Sequence, residues 1–205
     1  MAVITTYATL STAIGDYLAR SDLTTFIPNF VQNCEEKLYR ELRISAMEKA
    51  LSVSISSGVA AVPSDYLEMR YAYLTTSPIT WLERLSPEDI YSRYPSRSGG
   101  GEIPKFYARE GTDFIFGPYP GAYTMAGIYY AKLTLLRNDV DGTNWFTTNA
   151  PDLLLYGSLL EAEPFIKNDA RLALWRQMYA ESLALVKRQD RMENWSGGSL
   201  RARTA

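Results

Sequence analysis

The side chains in this sequence able to carry chemistry are mostly carboxylates. Glu83, Glu88 and Asp89 surround a short predicted helix, and Glu161 and Glu163 stand beside Pro164. Two acids flanking a glycosidic bond can hydrolyse it, one donating a proton and the other acting as base or nucleophile. The spacing argues for plainer roles. Glu88 and Asp89 follow Ser86-Pro87, a helix-start signature, where acids answer the helix dipole. Glu161 and Glu163 are two residues apart and do not face one another on a helix. A virion-associated cell-wall glycosidase using paired carboxylates therefore stands as the alternative reading.

Other routes to catalysis lack their residues. The chain has no histidine, which removes Ser-His-Asp and Cys-His nucleophiles, His-ligated metals and the commonest general base. Its one cysteine, Cys34, allows neither an intramolecular disulfide nor a zinc thiolate cluster. Cys34 falls on the apolar face of a predicted helix and reads as core. Gly99-Gly100-Gly101 is not followed by Lys-Ser/Thr and opens no long helix, so it is neither a Walker loop nor a dinucleotide fingerprint. The expectation is a protein without catalytic residues, cofactor or metal.

The C-terminus carries a different kind of signal. Residues 187–205 hold five basic and two acidic residues, a net +3 that leaves −5 for the rest of the chain. The ending WSGGSLRARTA has no core pattern and predicts an extended arm over 194–205. Arg191, Trp195, Leu200, Arg201 and Arg203 supply apolar anchors and charge together, the mix that docks on a partner protein. The same arginines would hold a DNA backbone only weakly, by an attraction that salt screens away.

These groups must be positioned by elements whose order is itself informative: the ends read as helix and the middle as strand. Thr5 or Thr6 can cap a first helix with Tyr7, Leu10, Ile14 and Leu18 inward. IPNFVQNCEEKLYREL places Ile27, Phe30, Val31, Cys34, Leu38 and Leu42 on one stripe of a second, with Glu35, Glu36, Lys37, Arg40, Glu41 and Arg43 on its polar side. From Leu51 to about Leu135 the pattern has period two. Strands are predicted at 51–56, 59–62, 68–74, 79–84, 105–109, 112–116 and 123–133, with a short helix from Pro87 and a mobile loop at 97–103. No helix there is long enough for a crossover, so antiparallel pairing is expected. Asn149 can cap a third helix, nearly apolar all round at its start and therefore central. Gly157 in it would admit a close neighbour. Asp169 can open a fourth, with Leu172, Trp175, Tyr179, Leu183 and Val186 at helical spacing.

The reading is α+β. Residues 1–46 and 146–193 form a helical bundle, 47–145 an inserted antiparallel β-sandwich or partial barrel, and 194–205 an arm. Composition agrees with a cored protein: 46% hydrophobic residues, with 15 Tyr, 7 Phe and 4 Trp. A formal charge of −2 gives no global footprint for nucleic acid. The start MAVITTYATL shows no signal peptide, and no stretch is apolar enough for a membrane span. Folding in a reducing cytosol is expected.

Five segments, in order, resemble the adaptor, or head-to-tail connector, proteins of tailed bacteriophages. DLTTFIPNFVQNCEEKLYRELR contributes Arg20 just ahead of it, Asp22, Leu23, Ile27, Pro28, Phe30 and Arg40-Glu41-Leu42-Arg43. Val62-Pro63-Ser64-Asp65-Tyr66-Leu67 matches a segment with leucine where Val62 stands. IPKFYAREGTDFIFGPYP resembles a hairpin of the family, while Asn144-Trp145 and APDLLLYGSLLEAEPFIKND resemble its central helix. The loop at 97–103 has no fixed counterpart, and the C-terminal arm is the family's least standard part. The resemblance implies a dodecameric ring in the virion neck, beneath the portal ring. A tail tube or nozzle would attach to it, and genomic DNA would pass through its lumen without specific binding. No membrane is implied.

Overall fold

The computed structural model describes residues 3–98, 101–166 and 170–195. It is a mixed α+β structure, with six α-helices and a seven-stranded sheet among the described residues. The chain divides into two compact units: residues 1–46 with 133–205, and residues 47–132.

The first unit is helical. Thr6 caps α1 (Tyr7–Leu18) through a reciprocal box with Thr9, each side chain accepting from the other's backbone N–H. Pro28 sits in the first turn of α2 (Ile27–Glu41), where its missing N–H costs nothing. Two short helices follow in the C-terminal half, α4 (Trp145–Asn149) and α5 (Pro151–Glu161), and then the long α6 (Leu172–Trp195). Helix α5 is central, packing against α1, α2, α4 and α6. Leu153, Leu154, Leu155 and Leu159 are all buried there, each worth about 2 kcal/mol of burial. At Gly157 a methyl group would lie 2.4 Å from Cys34 Sγ and 3.1 Å from the Tyr179 ring, so only glycine fits.

Two sequence expectations change here. Asn149 caps nothing: its Nδ2 donates to Trp145 O. Asn144 caps α4 instead, its side chain accepting from Phe146 N and Thr147 N. Pro151 then opens α5 without needing a side-chain cap. Glu35, expected on the polar side of α2, is fully buried, as is Tyr39. Asp169, Gly99 and Gly100 lie outside the described residues.

The second unit is a curled sheet in the order β1-β7-β3-β4-β5-β6-β2. Its strands are β1 (Glu48–Ile55), β2 (Val59–Ala61), β3 (Tyr66–Leu74), β4 (Thr80–Arg84), β5 (Phe106–Glu110), β6 (Asp113–Gly117) and β7 (Tyr123–Ala131). The first and last strands of that order, β1 and β2, are joined by Ser57-Gly58, both at positive φ, the requirement of a two-residue hairpin turn. A bridge at Ser56↔Val59 nearly closes the sheet into a barrel. Pairing is antiparallel except between β4 and β5, which run parallel. This corrects the all-antiparallel expectation. Seven-residue α3 (Pro87–Arg93) lies in the connection between these two parallel strands.

Leu51, Ile55, Leu74, Leu82, Phe114, Phe116 and Met125 fill the barrel. Ile115 faces the other way and is sealed by Ile90 of α3. The chain enters this unit on β1 and leaves it on β7, and these strands pair, with Glu48 opposite Tyr130.

Candidate functional site

Of the acids singled out by sequence, Asp89, Glu161 and Glu163 are engaged locally. Ser86 Oγ accepts from Asp89 N at the start of α3, and Glu88 and Asp89 occupy its first turn. Glu161 pairs with Lys37, and Glu163 takes Arg176 on both oxygens at 2.5 and 2.7 Å. Glu83 is exposed on β4, its N–H donating to Lys105 O. No metal-ligating cluster occurs among the described residues.

Of the five arm residues, Leu200, Arg201 and Arg203 lie outside the described residues. Arg191 and Trp195 belong to α6, which continues to Trp195 instead of giving way to an arm at 194. Arg191 is exposed, with Nε donating to Lys187 O at 3.2 Å. This end of α6 is clamped to the segment after α2. Asp190 Oδ1 accepts from Ser45 N and Ser45 Oγ at 2.6 and 2.8 Å, and Lys187 pairs with Glu41 at 2.8 Å.

Residues that carry the family resemblance are joints. Arg20 forks onto the Asp22 carboxylate and donates to Phe165 O at 3.0 Å, tying the α1–α2 turn to the turn that follows α5. That bond holds the Asp22 carboxyl below its usual range. Asp65 accepts from Lys49 Nζ at 2.6 Å and Tyr129 Oη at 2.8 Å. Burial pulls the Asp65 carboxyl up, but those two bonds outweigh it and the net shift is downward. Asp152 accepts from Ser182 Oγ, linking α5 to α6.

Glu35 is another such joint, one that sequence reasoning missed. Its Oε1 accepts from Leu136 N at 3.1 Å and Asn144 Nδ2 at 3.0 Å, pinning residues 136–144 onto α2. Burial pushes the carboxyl up to about 7. The Tyr39 hydroxyl is its neighbour in the interior and lowers its pKa against the pull of burial. The only signal in the sequence is Glu35 falling next to Cys34, one position off the apolar stripe. Cys34 itself is buried and burial pushes its thiol up to about 12, so it is packing, as expected.

The surfaces left open are aromatic and apolar. Tyr71, Tyr73 and Trp81 form a ring cluster on the outside of the β unit, with centroids 5.6–6.5 Å apart, and Trp81 is 61% exposed. A register shift at Met69/Tyr71 explains it. Met69 packs on the core side, but beyond the bulge Ala72 and Leu74 turn inward and the tyrosines turn out. Strict alternation over EMRYAYL hides that switch. Gly127 makes room for it: a Cβ there would lie 2.2 Å from Tyr71 O. Arg97 sits between the Tyr91 and Tyr119 rings, 5.3 and 5.2 Å from their centroids, and donates to Phe116 O at 2.7 Å. Beside it Tyr94, Pro95, Glu102 and Tyr119 line an open cleft of about 370 Å³. Such rings and arginines are what protein interfaces use as anchors. No described helix is long and apolar enough to cross a membrane.

Compared with known proteins, residues 5–203 match a family model described as SU10 adaptor protein. Nothing among curated proteins matches the chain.

Proposed function

We propose a role whose premise is membership: the chain belongs to the SU10 adaptor protein family, a phage adaptor family. On that premise it is a structural protein of the virion neck. Copies form a dodecameric ring beneath the portal ring, receive the tail tube or nozzle below, and leave a lumen through which genomic DNA passes. The helical unit is read as a bundle of both chain ends, and the β unit as an insertion that supplies loops and rings to neighbours.

The observation carrying this reading is the extent of the match, which runs from before α1 to beyond α6 and so spans both units. The site chemistry supports it. Glu161 and Glu163 are held in ion pairs and Asp89 at a helix cap, while aromatic and apolar side chains stand open. A ring subunit needs contact area on two flanks and two ends, and rings such as Trp81 and Tyr71 suit that need. The acidic balance outside the tail lets DNA slide past without sticking.

Electron microscopy of purified particles tests the role directly. Symmetric density between portal and tail that this chain fits is the expected result; a neck lacking the chain sinks the reading. The arm is tested separately by deleting residues 196–205, which leaves α6 whole. Binding to isolated portal rings should fall while the melting temperature holds. Undiminished binding removes Leu200, Arg201 and Arg203 from the interface.

A further inference from the structure

Helix α6 has a second apolar face. Leu174, Met178, Leu185 and Met192 recur at spacings of four and seven residues, which aligns them along one side. The side that packs inward is a different one, carrying Trp175, Ser182 and Val186. Leu174, Leu185 and Met192 are 50, 61 and 62% exposed. Glu181 and Arg188 lie in the same stripe, and Gln177 Nε2 donates to Glu181 Oε1 at 2.8 Å, holding that carboxylate on the face. Two interleaved heptad series, Met178-Leu185-Met192 and Leu174-Glu181-Arg188, make the seam of a two-helix coil.

We propose that α6 pairs with α6 of a second copy of this chain, antiparallel about a two-fold axis at Leu185. Charge selects the orientation. Glu181 precedes Leu185 by four residues and Arg188 follows it by three, so in an antiparallel pair each glutamate meets the other copy's arginine. A parallel pair would set glutamate against glutamate and arginine against arginine.

The rest of the helical unit selects the occupant. Its other exposed large apolar side chains among the described residues are Val3, Phe26, Val140 and Phe165. None of them lies in an α-helix. The helix of a second copy that complements this seam is therefore α6 itself.

A two-fold interface uses the same patch on both partners, whereas a ring whose subunits all point one way needs head-to-tail interfaces. Where the ring reading holds, the pair is a state held before assembly, and the seam opens when a subunit joins the ring. The pairing itself does not depend on that reading.

Light scattering after size exclusion, on the full chain across a concentration series, decides. The expected result is a concentration-dependent dimer. Leu185→Asp should be monomeric with unchanged far-UV circular dichroism and Tm, since the side chain is mostly in water. Glu181→Arg and Arg188→Glu should each weaken the dimer about tenfold, and the double exchange should restore it. A wild type that stays monomeric to about 100 μM, a Leu185→Asp dimer, or a double exchange as weak as the singles overturns the proposal. Particles without this chain in their neck would overturn the ring reading and leave the dimer standing.

Discussion

A buried carboxyl is the most consequential single residue. Glu35 holds the backbone N–H of Leu136 and the side chain of Asn144 from inside the helical unit, and burial raises its pKa to about 7. The folded form therefore binds a proton more tightly than the unfolded chain does. Between the unfolded carboxyl value of about 4.3 and pH 7, the folded state holds more protons, so rising pH removes stability across that window. The loss from this group is at most about 4 kcal/mol. Glu35→Gln keeps an acceptor oxygen and cannot ionise. Its stability relative to the parent should rise from pH 5 to pH 8, measured by urea unfolding at both values; an unchanged difference refutes the account. Cys34 offers a companion test at the same scale. Buried against α5 with its thiol pushed up to about 12, it should resist thiol reagents in the native protein and react promptly in denaturant.

At the level of elements, the bulge in β3 decides which rings face outward. Gly127→Ala puts a methyl against Tyr71 O, and should cost about 1–3 kcal/mol as a shifted denaturation midpoint. A mutant of unchanged midpoint would mean the bulge moves freely. The bulge also marks where sequence reasoning stops. Seven strands and the capped helix after Ser86 are legible because period-two runs and turn residues are local signals. The parallel β4–β5 pairing is not, since nothing local tells a strand which neighbour it will meet. Alternation assigns Tyr71 and Tyr73 to one face with Met69 because a bulge adds a residue without any mark in the pattern. Asn144 is hidden as a cap because α4 is too short to show a helical period. Glu35 reads as solvated because its partners, Leu136 and Asn144, lie a hundred residues away. The acids that look chemical are the opposite case. Their local settings already argue for capping and pairing, and Asp89, Glu161 and Glu163 are held so.

At the scale of the whole molecule, the side chains that hold the fold together are not those that stand open to a partner. The leucines of α5 and the barrel interior are inaccessible, while Trp81, Tyr71, Leu185 and Met192 contribute little to folding where they stand. Trp81→Ala combined with Tyr71→Ala should leave Tm within a few degrees and weaken incorporation into particles, scored by the fraction of virions that retain tails. Normal tailing would show that this face stays in solvent.

The pairing of Glu48 with Tyr130 has a consequence for how the chain can be cut and rejoined. The β unit begins and finishes on bonded neighbours, so its two ends lie about 5 Å apart. A module closed in this way can be lifted out and replaced by another of different size while the helices keep their connections. Excised as residues 47–132, it should fold alone, and a short glycine bridge should suffice to rejoin the helices it leaves behind.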